Sequence, residues 1–300
     1  MLSDEVRERL KRLNRAPLRE RPAPANRSAD VPKENKRFPV LPNIFRKPPV
    51  IKAALPPFID LSEAVSGEEM RNQRGGFLVA DMEIVDFIND HGSLNSEYAG
   101  FFGDGSTLHD DESLSSSLRA FLRTHPSRVL YLDIETTGLS ATPLFLVGMM
   151  SLQEDGLRLR QLFAREYREE APLLEHLSNF MRDFDCLVTF NGKSFDIPFI
   201  RGRASANRVR FDWNRHHLDL LHESRRRYRR ELENCKLQTL EAEICGRRRT
   251  GDIPGDQIPD AYHSFVRTGN AYRIRSIMYH NGLDLITMAE LLLNILFREE

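Results

Sequence analysis

The segment VLYLDIET, at positions 129–136, constrains the fold more than any other part of the sequence. Its apolar, β-prone half predicts a buried strand, and on a strand residues i and i+2 point to the same face. Asp133 and Glu135 would therefore lie side by side. Two neighbouring buried carboxylates repel each other and are costly to desolvate unless a cation neutralises them. Their oxygens suit Mg²⁺ or Mn²⁺, so the pair suggests a metal site, although Asp-x-Glu alone is common by chance.

Two further segments carry polar residues that would complete such a site. The segment NGKSFD, ending at Asp196, follows the strand candidate 186–190 and opens a predicted helix. Pro198 is tolerated there because the first amides of a helix need no intrahelical acceptor. Near the C-terminus, His280 and Asp284 have the i, i+4 spacing that shares one helix face. An imidazole and a carboxylate would then point into the same cleft.

These segments, DIETTGL, NGKSFD and HNGLD in this order, resemble the three exonuclease motifs of the DEDD (DnaQ-like) superfamily. They are most similar to the YprB-like branch of the ribonuclease H-like proteins. The segments HHLDLLH at 216–222 and DIPGDQIP at 252–259 are also similar to that branch. The resemblance covers about residues 115–297. It implies a ribonuclease H-like fold and a 3′→5′ exonuclease that acts on single-stranded DNA or RNA.

The same resemblance implies roles for individual residues. Asp133, Glu135, Asp196 and Asp284 would hold two Mg²⁺ or Mn²⁺ ions, as two-metal phosphodiesterases do. His280 would act as the general base, since its ordinary pKa is close to neutral. The positions expected to contact the substrate are Thr136, Gly138, Asn191, Lys193 and Phe195.

One departure from the motif leaves the identity of the base open. Three residues separate His280 from Asp284, which is the spacing of the tyrosine-type members, whereas Tyr279 has the four-residue spacing of the histidine-type members. Asn281 and Gly282 lie between them, and an Asn-Gly pair can interrupt a helix. Asp219, in the segment HHLDLLH, is either a fifth acidic group of the site or a supporting hydrogen-bond acceptor.

The pattern of elements predicts an α/β fold with a mixed sheet flanked by helices. Three successive strands, expected to pair antiparallel, are predicted at 128–134, 144–152 and 157–163. Helices and strands then alternate, as in a ribonuclease H-like core. The remaining strands are predicted at 186–190 and 216–220, and the helices at 169–184, 194–206, 221–232, 236–245, 259–268 and 271–297.

Composition and charge predict three regions in the 300 residues. Residues 1–57 read as a disordered basic arm rich in Pro and Arg, with a short helix at 2–14. Residues 58–114 read as a small strand-containing extension, and residues 115–300 as the exonuclease domain. The net charge is −1, but residues 1–50 hold 13 Lys and Arg against 6 Asp and Glu, a local charge of +7. Such asymmetry is typical of a protein that contacts phosphodiester backbones.

Other features exclude several classes of protein. Cys186, Cys235 and Cys245 form no Cys-x-x-Cys pair, which argues against structural zinc and a disulfide framework. No apolar run is long enough for a signal peptide or membrane span, so a cytoplasmic location without membrane contact is expected. Two alternatives remain open. One is a non-catalytic nucleic-acid-binding module, and the other is an adaptor whose basic arm docks a helicase or polymerase.

Overall fold

The computed structural model describes residues 57–88, 94–98, 100 and 111–297. The predicted basic arm and its helix at 2–14 lie outside the described residues, apart from Pro57.

The described residues form one mixed sheet of seven strands in the order β1-β2-β5-β4-β3-β6-β7. The pairs β1–β2, β2–β5, β5–β4 and β4–β3 are antiparallel, whereas the pairs β3–β6 and β6–β7 are parallel. This arrangement confirms the predicted mixed sheet, and the extension adds β1 and β2 beside β5. The strands are β1 (Glu68–Asn72), β2 (Gly75–Glu83), β3 (Val129–Thr136), β4 (Leu144–Gln153), β5 (Gly156–Phe163), β6 (Cys186–Thr189) and β7 (His216–Asp219).

The six helices predicted after residue 168 are present in the expected order, and each begins within three residues of its expected position, whereas the two described helices before β3 were not predicted. Local signals explain their limits, as in the helix that has Pro259 in its first turn and ends at Gly269, whose φ is +74°. The α-helices are α1 (Leu61–Ala64), α2 (Ser116–Leu122), α3 (Glu170–Phe180), α4 (Asp196–Ala206), α5 (Leu220–Tyr228), α6 (Leu237–Glu243), α7 (Ile258–Thr268) and α8 (Ile274–Phe297).

Apolar side chains from the two faces of the sheet join separate clusters. Leu130, Leu132 and Ile134 of β3 pack in one cluster with side chains of α3, α4 and α7. Val129 and Tyr131 pack in the other, which includes most of α8. Because side chains alternate along a strand, Asp133 and Glu135 share the face of Val129 and Tyr131 and point toward α8.

Buried hydrogen bonds hold helix α8 against the sheet. Asp133, Gly148 and Gln161 are neighbours on β3, β4 and β5. Asn281 of α8 lies over Gly148, where its Nδ2 donates to Asp133 Oδ2 at 2.7 Å. Its Oδ1 accepts from Gln161 Nε2 at 2.7 Å, and Gln161 Nε2 also donates to the carbonyl of Met278 at 2.8 Å. Asn281 and Gln161 are completely buried, so these bonds fix the height and rotation of α8.

Helix α8 continues through Asn281 and Gly282 without a break. The Phe87 ring packs against Gly282, where an added Cβ would lie 2.2 Å from a ring carbon. Because Gly282 has no Cβ, the Phe87 ring can pack directly against the helix. The tertiary contacts of both residues offset their poor helix propensity.

Among the described helices, none has the length and apolar character needed to cross a membrane.

The packing of α8 against the sheet is testable at Gly148. A Cβ at this position would lie 2.0 Å from Asn281 Oδ1, so Gly148→Ala must displace the helix or the amide. We expect the free energy of unfolding to fall by about 1–3 kcal/mol, measured by urea denaturation. Gly202→Ala is the matched control, since it lies inside α4 with no atom within 4 Å of the new Cβ. That change should stabilise the helix by about 0.5–1 kcal/mol, and equal behaviour of the two variants would contradict the proposed packing.

Candidate active site

The candidate site lies at one edge of the sheet. Because β3, β6 and β7 are parallel, their carboxyl ends meet at that edge. Asp133 and Glu135 lie on β3, and Asp196 begins α4 after the loop that follows β6. Helix α8 brings Asp284 to the same place. The structure thus brings together the four carboxylates that the sequence suggested, from three distant segments.

The four carboxylates influence one another strongly. Burial raises the pKa of Asp133 well above its ordinary value, and the charges of Asp284, Glu135 and Asp196 raise it further. Burial likewise raises the pKa of Glu135 to about 8 and that of Asp196 to about 7. Asp133 and Glu135 are half-buried, so solvent still reaches part of each residue. The site is a pocket of like charge that a cation would stabilise.

His280 faces the carboxylates, and Tyr279 does not. His280 Nε2 lies 3.6 Å from Asp284 Oδ2, and its Nδ1 lies 2.8 Å from Asp252 Oδ2. Burial acts to lower the pKa of His280, but the hydrogen bond to Asp252 and the charges of Asp284 and Glu135 raise it overall. Tyr279 stacks on Phe87 with ring centroids 5.5 Å apart and is 38% exposed. Only the histidine is within reach of the carboxylates.

Arg249 was not singled out as a site residue by the sequence, yet its guanidinium binds three acidic side chains. It donates to Asp284 Oδ1 at 2.5 Å, to Glu241 Oε2 at 2.6 Å and to Asp252 Oδ2 at 3.2 Å. Its side chain is only 6% exposed. The charge of Arg249 counteracts the burial that raises the pKa of Asp284. The signal available in the sequence was the similarity of the 252–259 segment, which begins with Asp252.

Asp219 organises the loop that precedes Asp196. Its Oδ1 accepts from the backbone N–H groups of Asn191 at 2.8 Å and Leu221 at 3.1 Å. Its Oδ2 accepts from the backbone N–H of Lys193 at 3.0 Å. Asn191 has a φ of +65°, and these bonds hold that conformation. Of the two roles considered for Asp219, the contacts favour support of the loop, and its charge also raises the pKa of Asp196.

The predicted substrate positions occupy two neighbouring loops. Asn191 and Lys193 are exposed, whereas Phe195 is half-buried and its ring lies 5.5 Å from that of Phe199. The Thr136 hydroxyl donates to the Gly138 carbonyl at 2.7 Å and closes the turn after β3. Thr136 and Gly138 therefore shape the turn, whereas Asn191 and Lys193 of the other loop are exposed to solvent.

The donor chemistry of the site fits hard divalent cations, which prefer carboxylate oxygens. Ribonuclease H-like nucleases generally use such metals. Even so, within the described ranges no group of three His, Cys, Asp or Glu side chains is arranged closely enough to hold a metal ion. Asn281 donates a hydrogen bond to Asp133, and Arg249 donates one to Asp284. A metal would have to draw these oxygens together.

The loop-supporting role of Asp219 is testable by amide exchange. Asp219→Asn places an NH₂ group against a backbone donor, so one of the three bonds is lost and a buried group is left unpaired. We expect a loss of about 1–3 kcal/mol in stability and faster deuterium uptake in a peptide covering 190–194. The control is Asp212→Asn, an exposed position on the segment before β7. Unchanged uptake in the Asp219 variant would contradict the role.

Comparisons relate this chain to known proteins. A family model described as RNase_H superfamily matches residues 130–295. "Uncharacterized protein YprB" of Bacillus subtilis (strain 168) is 29% identical over 194 residues, which cover 63% of this chain and 46% of that protein. The chain therefore spans less than half the length of this curated relative. The family B DNA polymerase of the archaeon Pyrobaculum calidifontis superposes with a TM-score of 0.46 at 23% identity, covering 55% of this chain and 24% of the polymerase. Since the family match extends over more than half of the chain, this protein belongs to the RNase H superfamily, in which it is similar to YprB.

Proposed function

We propose that this protein is a divalent-metal-dependent nuclease that removes nucleotides from the 3′ end of single-stranded DNA or RNA. The observation that carries the proposal is the convergence of Asp133, Glu135, Asp196 and Asp284 in one open cleft beside His280. Four carboxylates repel one another in such a cleft, so their convergence is unfavourable without a positively charged ligand. A two-metal phosphodiesterase site supplies that ligand.

The side chains have distinct tasks in this mechanism. The four carboxylates would hold Mg²⁺ or Mn²⁺, which when bound lower the pKa of a water and stabilise negative charge on the phosphate. His280 Nε2 would take the proton of the attacking water. The water oxygen bonds to phosphorus, the bond from phosphorus to the shortened strand breaks, and the leaving oxygen takes a proton from solvent. Exposed Lys193 would contact a phosphate of the substrate.

A groove lined in part by Asp252, the residue that contacts His280, supports a single-stranded substrate. It has a volume of about 590 Å³, and its lining includes the rings of Phe87 and Tyr279, the guanidinium of Arg275 and the acidic side chains of Asp81, Asp86 and Asp252. Single-stranded nucleic acids bind proteins through stacking on aromatic rings and through basic side chains. The exposed Tyr279, stacked on Phe87, offers an aromatic surface of this kind.

Cleavage of end-labelled oligonucleotides tests the proposal. Purified protein with Mn²⁺ should shorten single-stranded DNA or RNA from the 3′ end, and EDTA should abolish the reaction. Asp133→Asn should lower the rate about 100-fold or more because it removes a metal ligand. Asp183→Asn, at an exposed position outside the three motifs, should cleave like the wild type.

Each outcome of that assay has a clear meaning. Normal turnover by Asp133→Asn would refute the metal assignment. Binding without cleavage by the wild type would favour the non-catalytic module, and internal cuts would favour an endonuclease. Deleting residues 1–57 tests the adaptor alternative. If the variant no longer binds a helicase or polymerase but cleaves at the normal rate, the arm is the docking segment.

The identity of the base is tested by comparing two variants. His280→Ala should lower kcat about 100-fold, in the range typical of general bases, because it removes the nitrogen that faces the carboxylates. Tyr279→Phe keeps the ring stack on Phe87 and should leave kcat within about two-fold of the wild type. Steady-state rates on the same oligonucleotide give both numbers. The reverse order would assign the role to the tyrosine.

A further inference from the structure

A short segment outside the three motifs makes a series of side-chain contacts with helix α8. We call it the strap, residues Gly246–Asp252, which joins α6 to α7. Arg247 donates to Glu290 Oε1 and to Thr287 Oγ1, both at 2.7 Å. Farther along the strap, Arg249 reaches Asp284 and Asp252 reaches His280. These four partners on α8 are spaced three or four residues apart, so the strap follows one face of the helix.

The contact between Asp252 of the strap and His280 determines the orientation of the imidazole ring. Asp252 Oδ2 lies 2.8 Å from His280 Nδ1, and both side chains are at least nine-tenths buried, with exposures of 10% and 9%. Of the two ring nitrogens, Nδ1 lies within hydrogen-bond distance of a carboxylate and Nε2 does not, which favours the neutral form with its proton on Nδ1. The lone pair of Nε2 then faces Asp284 Oδ2, 3.6 Å away. The ring is oriented so that its basic nitrogen points into the carboxylate cleft.

Asp252 is itself held in place. Arg249 Nη1 donates to Asp252 Oδ2 at 3.2 Å, while the other nitrogens of the same guanidinium bind Asp284 and Glu241. Glu241 also accepts from Arg247 Nε at 2.7 Å and is 1% exposed. The planar guanidinium therefore sets the distance between Asp252 and Asp284, the two carboxylates on either side of His280.

We propose that Asp252 is a positioning residue that fixes His280 with its proton on Nδ1 and its Nε2 directed at the substrate cleft, and that Arg249 keeps Asp252 in register with Asp284. The catalytic consequence rests on the proposed function, since the ring receives a proton from water only if the site cleaves phosphodiesters. The orientation of the ring is a property of the chain alone. The strap is thus a fourth segment of the site, which none of the three motifs contains.

The test compares Asp252→Ala with Asp252→Asn, and uses Asp256→Ala, exposed on the same loop, as the matched control. The alanine removes the acceptor for Nδ1, whereas the asparagine retains an oxygen of the same reach. The first readout is the ¹⁵N spectrum of histidine-labelled, metal-free protein at a pH where the ring is neutral, with the His280 signals identified by their loss in His280→Gln. The second readout is kcat and KM on the single-stranded oligonucleotide.

We expect His280 to carry its proton on Nδ1 in the wild type, in Asp252→Asn and in Asp256→Ala, and to lose that preference in Asp252→Ala. We expect kcat to fall about 10–100-fold in Asp252→Ala with KM within about two-fold, and the asparagine to restore most of the rate. A ring that keeps the Nδ1 proton in Asp252→Ala overturns the proposal, as does an unchanged kcat or an equal loss in Asp256→Ala. If the alanine variant does not fold, the asparagine variant decides, and loss of the Nδ1 proton there overturns the proposal.

Failure of the proposed function gives a different result. A wild-type protein that does not cleave refutes the nuclease, while the ¹⁵N spectra still decide whether Asp252 fixes the ring.

Discussion

The structure around the cleft depends on keeping four carboxylates together although they repel one another. Burial and mutual repulsion raise the pKa of Asp133 well above its ordinary value, and those of its neighbours also rise. Hydrogen-bond donors and positive charge must therefore be supplied from nearby elements. Asn281 supplies a donor to Asp133, and Arg249 supplies a guanidinium to Asp284. These contacts offset part of the repulsion among the carboxylates.

Both contacts require helix α8 to lie at a fixed height above the sheet. Gly148 allows this because it leaves room for the amide of Asn281, and Gln161 binds the other end of that amide. The helix therefore cannot slide or rotate without breaking buried hydrogen bonds, which is costly. His280 and Asp284, one turn apart on the same helix, are consequently delivered to the cleft together. The same buried hydrogen bonds therefore fix the position of the helix and the position of the charged groups in the site.

The fold was predictable because its elements carry strong local patterns. The second long strand, expected at 144–152, is Leu144–Gln153, and the last helix, expected at 271–297, is Ile274–Phe297. The doubtful point was the Asn281-Gly282 pair, which by propensity could end a helix. The helix continues because both residues have tertiary roles, Asn281 as a buried hydrogen-bond partner and Gly282 as the seat of the Phe87 ring. Local propensity could not reveal those contacts.

The sequence by itself determined the acidic residues of the candidate site and their order, because an apolar run, an i, i+2 pair and an i, i+4 pair are short-range patterns. Only the tertiary structure decided which groups surround them. Asp252 and His280 are 28 residues apart, Arg249 and Asp284 are 35 apart, and Asn281 and Asp133 are 148 apart. No spacing rule links such positions, since their distance depends on how helices and loops pack. The carboxylates could therefore be identified from the sequence. Their contacts with the strap and with the amide of Asn281 depend on tertiary packing and could not.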